Sequence, residues 1–76
     1  MRKIQLLGTV GCHLCDIAQD LVAKTLDLTQ IEVELVDIAT TDELVEQYGT
    51  SIPVLLCLSS GNKLFWPFNA EALLDF

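Results

Sequence analysis

The chain has 76 residues, too few to enclose more than one small hydrophobic core, so a single domain spanning 1–76 is expected. Apolar residues make up 51% and fall in short runs between polar turns, which excludes a disordered chain and lets it fold without a disulfide framework or a structural metal. Eleven acidic residues against four Lys plus Arg leave a net charge of −7, which argues against nucleic acid or anionic lipid as a partner.

Ile4 to Leu7 is a short apolar run ended by Gly8, as in a buried first strand. Met1-Arg2-Lys3 and the following run up to Gly11-Cys12 superficially look like a short leader ending at a lipid-accepting cysteine. That stretch is at the lower limit of length, is interrupted by Gln5, and passes directly into a helical pattern, so the leader reading is rejected. No run approaches the roughly 18 apolar residues of a membrane span. From Leu14 the apolar positions Leu14, Ile17, Ala18, Leu21 and Val22 form the stripe of an amphipathic helix, with Asp16, Gln19, Asp20 and Lys24 on its wet side. Ile31, Val33 and Leu35 alternate with Glu32 and Glu34, which predicts a strand with one partly exposed face at a sheet edge.

Thr40 and Glu43 have the spacing of a capping box, and Leu44, Val45 and Tyr48 continue a short second helix that Gly49 closes. Ile52 to Leu58 is the most apolar stretch and reads as a central strand, with Pro53 confined to its start, where a missing backbone donor is tolerated. Ser59-Ser60-Gly61-Asn62 is a turn, Lys63 to Trp66 a fourth strand, and Asn69 caps a last helix through Leu73 and Leu74. The order is βαβαββα, an α/β domain in which a right-handed βαβ unit with parallel strands is followed by an antiparallel hairpin.

Three cysteines are an odd number, and two of them sit at C-x-x-C, a spacing that points to redox or metal chemistry in a reducing compartment. Gly11-Cys12-His13-Leu14-Cys15 joins the first strand to the first helix. Cys12 thus stands at a helix N-terminus, where unpaired N–H groups and the helix dipole stabilise a thiolate and bring its pKa below about 8.5. Cys15, three residues on, is close enough to displace a substrate from a mixed disulfide and close an intramolecular bond. The alternative is a metal. A tetrahedral zinc site needs four ligands, and beyond Cys12 and Cys15 the chain offers only His13 and Cys57.

Ser51-Ile52-Pro53-Val54-Leu55 supplies the second motif. With Cys12-His13-Leu14-Cys15 after a first strand and Ile52-Pro53-Val54 opening the third, the chain resembles the glutaredoxin-like branch of the thioredoxin superfamily over essentially its whole length. The resemblance implies a thioredoxin-like (glutaredoxin-like) fold with a four-stranded mixed sheet flanked by helices. It also implies a thiol–disulfide oxidoreductase in which Cys12 attacks and Cys15 resolves. In that family the proline is cis and faces the cysteines, and the preceding residue's backbone pairs with the bound peptide or glutathione. Carried over, those roles fall to Pro53 and Ile52. His13, where family members commonly carry Pro, is assigned with them as a substrate-contact position. No cofactor is implied, and the expected protein is a cytoplasmic monomer acting on a disulfide-containing protein or a small thiol.

Typical glutaredoxins hold the carboxylates of glutathione with a basic residue near the first cysteine and with a Gly-Gly turn followed by Asp ahead of the last helix. Here Gly8-Thr9-Val10-Gly11 and Trp66-Pro67-Phe68-Asn69 occupy those places. The topology puts Arg2, Lys3, Lys24 and Lys63 at the far pole and Asp37, Asp42, Glu43 and Glu71 at the catalytic one. Glutathione is therefore disfavoured as a ligand. Cys57, deep in the central strand, is expected to be a structural apolar residue, four positions or roughly 13 Å from Pro53 at about 3.3 Å per residue. Two rival readings are a glutaredoxin-like binding module without turnover, and zinc or iron–sulfur binding through the C-x-x-C.

Overall fold

The computed structural model describes residues 2–76; Met1, the first residue of the leader-like segment, lies outside them. The elements are β1 (Arg2–Gly8), α1 (His13–Thr25), β2 (Ile31–Asp37), a 3-10 turn (Ile38–Thr40), α2 (Asp42–Tyr48), β3 (Val54–Cys57), β4 (Lys63–Phe65) and α3 (Ala70–Asp75). Apart from the 3-10 turn, this is the expected βαβαββα order. The sheet runs β2-β1-β3-β4, with β2 parallel to β1 and both other pairs antiparallel. The alternating Ile31–Val36 segment is indeed an edge strand, and the most apolar segment is an interior one.

Alternation along the strands gives the sheet two apolar faces. Ile4, Leu6 and Leu55 point to one face, where Ala18, Val22 and Leu26 from α1 and its C-cap, Leu73 of α3 and Phe68 cover them. Leu7 and Val54 point to the other, against Ile38 and Tyr48 at the two ends of the 3-10/α2 segment. Burial of each large aliphatic side chain here is worth about 1.5–3 kcal/mol, which holds α1 and α3 on one side and α2 on the other.

Three local expectations need correction. The buried stripe of α1 is Cys15, Ala18 and Val22, while Leu14 and Ile17 are 45% and 43% exposed. The first turn must place Cys15 against the sheet, and that rotation turns Leu14 and Ile17 outward. The cap of α2 is Thr41, whose hydroxyl accepts from the Leu44 N–H, whereas Thr40 belongs to the 3-10 turn and donates its hydroxyl to the Asp37 carbonyl. The extra turn exists because the Asp37 carboxylate accepts from the Ala39 N–H at 2.9 Å and bends the chain directly after β2. Third, β3 covers only Val54–Cys57, shorter than the apolar run that marks it. Asn69 caps α3 as expected, accepting from the Ala72 N–H at 2.9 Å. No described helix is long and apolar enough to cross a membrane.

Candidate active site

Gly8 ends β1 opposite Asp37, and one position earlier Leu7 pairs with Val54 of β3. The end of β1, the end of β2 and the start of β3 thus converge at one pole. From Gly8 the chain crosses a short loop and turns at Gly11, whose φ of 81° lies in the left-handed region that glycine adopts without strain. The turn is closed by the Cys12 N–H donating to the Thr9 carbonyl at 3.3 Å. Cys12 then becomes the N-cap of α1.

An N-cap side chain normally offers an oxygen to the first unpaired N–H groups of its helix. Here sulfur takes that place, as Cys12 Sγ accepts from the Cys15 N–H at 3.1 Å. The same donor that caps the helix is aimed at the sulfur that would carry negative charge. Cys12 and Cys15 are joined in a disulfide across a Cα–Cα distance of 5.2 Å, inside the usual range for such a bridge. Cys12 is half-buried and Cys15 buried, so the Cys12 sulfur is the more open of the two to solvent.

Cys15 owes its place to Gly8. A Cβ on Gly8 would lie 2.9 Å from Cys15 Sγ, so any other residue there would push the Cys15 sulfur away. Sequence reasoning treated Gly8 only as the end of a strand. The available signal was a glycine at a strand end immediately ahead of the C-x-x-C loop, the place where a backbone must pass close to a side chain.

Pro53 is buried beside this pole, and the Ile52–Pro53 bond is cis, as the resemblance implies. Trp66–Pro67 is a second cis bond, which the sequence had not indicated. The Trp66 N–H donates to the Pro53 carbonyl at 3.2 Å and ties the start of β3 to the segment leaving β4. The Trp66 ring stands edge-on to Phe68 with centroids 5.0 Å apart, so this segment packs as a unit over the start of α3. Ile52 is half-buried against the Leu7–Tyr48 cluster, and its N–H donates to the Tyr48 carbonyl at 3.2 Å. The resemblance assigns the Ile52 backbone to a bound peptide, and its N–H is here engaged within the chain. His13, the first residue of α1, is exposed.

Cys57 is 1% exposed and lies outside the disulfide, opposite Ile4 and remote from Gly8 along the sheet; its Sγ is 3.3 Å from Ser59 Oγ. Among the described residues no three His, Cys, Asp or Glu side chains group so that they could hold a metal. The cations mostly sit where the topology put them. Lys3 pairs with Glu34 at 3.6 Å and Lys24 with Asp20 at 2.8 Å. Lys63 opens β4 opposite Leu56, but its ammonium stands 5.3 Å from the Tyr48 ring centre and so leans toward α2 more than expected.

Known proteins place this geometry. No curated protein matches the chain. Among solved structures, the crystal structure of protein XcR50 from X. campestris is similar with a TM-score of 0.80 at 33% identity, over 95% of each chain. The solution structure of XcR50 gives 0.77 at 33% identity over 99% of this chain and 94% of that one. Protein Ne2328 from Nitrosomonas europaea gives 0.71 at 26% identity over 97% and 88%. Residues 3–76 match the glutaredoxin-like domain (DUF836), nearly the full length and with the C-x-x-C at the start of its first helix, and the chain belongs to that family.

Proposed function

We propose that this protein is a thiol–disulfide oxidoreductase that reduces a disulfide in a protein or small molecule through a mixed disulfide on Cys12. The observation that carries the reading is the N-cap position of Cys12. Its sulfur accepts the Cys15 N–H at the positive end of a 13-residue helix, and Cys15 is in bonding reach. A lone pair of cysteines in a loop would have the spacing without the stabilised thiolate.

In the reduced protein the Cys12 thiolate attacks one sulfur of the substrate disulfide. That bond breaks, and the departing sulfur leaves as a thiolate that takes a proton from water. Cys15 then loses its proton and attacks the Cys12 sulfur, which releases the second substrate thiol and closes the Cys12–Cys15 disulfide. Two electrons have passed to the substrate. A dithiol reductant returns them by the reverse sequence. In this reading His13, Ile52 and Pro53 contact the substrate; because the Ile52 N–H is engaged with Tyr48, the Ile52 carbonyl is the backbone group offered to it. The protein works as a monomer in the reducing cytoplasm, without a cofactor.

The test is to trap the mixed disulfide. Cys15→Ser protein is expected to form covalent adducts with its partners that dithiothreitol releases, and the Cys12→Ser/Cys15→Ser protein none. If Cys15→Ser binds partners without forming adducts, the chain is a binding module and the redox reading is wrong.

A further inference from the structure

The oxidoreductase reading leaves one surface unused, on the side of the sheet away from Pro53. Between α1 and the edge strand β2 runs a groove of about 230 Å³ that reaches Cys15 and the exposed Val10 at one end. A second depression of about 160 Å³ continues it toward Leu28. Leu6, Gln19 and Leu35 line both. Leu35 is 56% exposed and Leu28 51%, and with Val10 at 89% they place three exposed apolar side chains along one groove.

The strand beside the groove is one of the two outer strands of the sheet, so on one side its backbone N–H and C=O groups face no strand among the described residues. From Ile31 to Leu35 its side chains alternate in character, and Val36 then turns to the Leu7 cluster on the other face. Val33 and Leu35 share the face of Ile4 and Leu6 and look into the groove, while Glu32 and Glu34 share the opposite face with Lys3 and Gln5. A strand laid against β2 would therefore need apolar residues on one side and cations on the other.

A second copy of this chain does not meet that need. In the antiparallel registers centred on Val33 or on Glu34, Glu32 faces Glu34 or Glu34 faces itself, and like charges directly opposite each other are destabilising. The overall charge of −7 adds to the repulsion. Glu34 already takes Lys3 at 3.6 Å and the Gln5 side-chain amide at 2.8 Å, so it is chiefly Glu32 that favours a strand carrying Lys or Arg, a residue type β2 itself lacks.

We propose that the β2 edge with its α1 groove is a docking surface for a protein partner, which adds an extended segment of alternating apolar and basic residues as a fifth strand. The apolar side chains fill the groove over Leu35 and Leu28, and the basic ones meet Glu32 and share Glu34 with Lys3. The surface lies apart from Pro53, so a partner held there leaves the start of β3 open, while the Val10 and Cys15 end of the groove brings it beside the disulfide.

The experiment uses the oxidised wild-type protein and a cysteine-free capped peptide of about eight alternating valine and lysine residues, long enough to cover one strand. Because the probe has no cysteine, thiol exchange does not enter, and the outcome is independent of the redox reading. Amide chemical-shift changes are expected at 31–37, Val10 and Leu28, with the amides of β2 gaining protection from hydrogen exchange. A peptide of the same composition with the lysines and valines in two blocks is expected to bind at least about tenfold more weakly, as is the alternating peptide to a Leu35→Lys variant. Glu32→Lys is expected to weaken binding and reduce its salt dependence. Shifts confined to 42–46 of α2 or to the Pro53 side, unchanged binding to Leu35→Lys and Glu32→Lys, or self-association of the peptide-free protein through β2 would each overturn the proposal.

Discussion

Cys12 and Cys57 carry the same side chain and occupy two regions that treat it in opposite ways. Cys12 stands at the first turn of α1, half in solvent, with a backbone donor 3.1 Å from its sulfur and a bonding partner one turn away. Cys57 sits in an interior strand at 1% exposure among Ile4 and its neighbours. A helix start offers hydrogen-bond donors to a sulfur, and a buried strand offers it apolar packing. What separates the two cysteines is thus position, set by where the chain leaves the sheet and enters a helix.

The largest effect that separates the two regions is expected from exchanging the sulfurs for inert atoms. Cys12→Ser is expected to lower the rate of disulfide reduction by at least about 10³-fold, because the nucleophile is gone and no other described thiol reaches its place. Cys57→Ala is expected to leave that rate within about twofold while costing roughly 1 kcal/mol of stability through lost packing in β3. Rates with a model disulfide and urea denaturation of both variants check this. A Cys57→Ala protein with the kinetic defect of Cys12→Ser would erase the distinction.

Gly8→Ala sharpens the comparison from the other side, since it touches the active pair and spares Cys57. The added Cβ would lie 2.9 Å from Cys15 Sγ, so the resolving sulfur or the β1–α1 loop must shift. Overpacking of this kind costs about 1–3 kcal/mol. The specific signature is kinetic. Formation of the mixed disulfide on Cys12 is expected to stay near the wild-type rate while its resolution slows, so quenched reactions accumulate the adduct. Equal slowing of both steps would mean that Gly8 supports the fold generally and gives Cys15 no particular room.

Much of this was legible in the chain because short-range patterns and topology agree. The alternation of Ile31 to Val36 gave an edge strand, the apolar run before Ser59 an interior one, and the C-x-x-C between strand and helix the N-cap cysteine. The details that escaped depend on contacts between elements. Leu14 and Ile17 fit a helical stripe by spacing, yet the demand that Cys15 meet Gly8 turned them to solvent. Thr40 has Glu43 at the capping-box spacing and Thr41 has not, yet the Asp37 carboxylate draws Thr40 into the 3-10 turn and leaves the cap to Thr41. The role of Gly8 and the groove beside β2 arise only when α1 lies on the sheet. The lean of Lys63 toward Tyr48 follows from side-chain length, which strand position alone does not convey.

The smallest expected effect concerns glutathione, and it tests whether the pole of Cys12 differs electrostatically from the rest of the molecule. Asp16 lies in the first turn of α1, Asp37 ends β2 beside Gly8, Asp42 and Glu43 open α2, and Glu71 lies in the first turn of α3. Lys3 and Lys24 are held by Glu34 and Asp20 away from that pole, and Lys63 rests over Tyr48. Glutathione carries two carboxylates and one ammonium, so it approaches as an anion toward acids and away from cations. Exchanging an attractive charge for a repulsive one beside a partly exposed thiol costs on the order of 1–2 kcal/mol, or about tenfold in affinity. Reduction of the Cys12–Cys15 disulfide by glutathione is therefore expected to be slow relative to a dithiol of similar potential, to accelerate as salt screens the repulsion, and to accelerate in Glu71→Lys. Stopped-flow rates with both reductants at low and high salt decide the matter. If glutathione reduces the wild-type bridge as readily as the dithiol, and neither salt nor Glu71→Lys changes its rate, the acids at this pole do not govern access to Cys12.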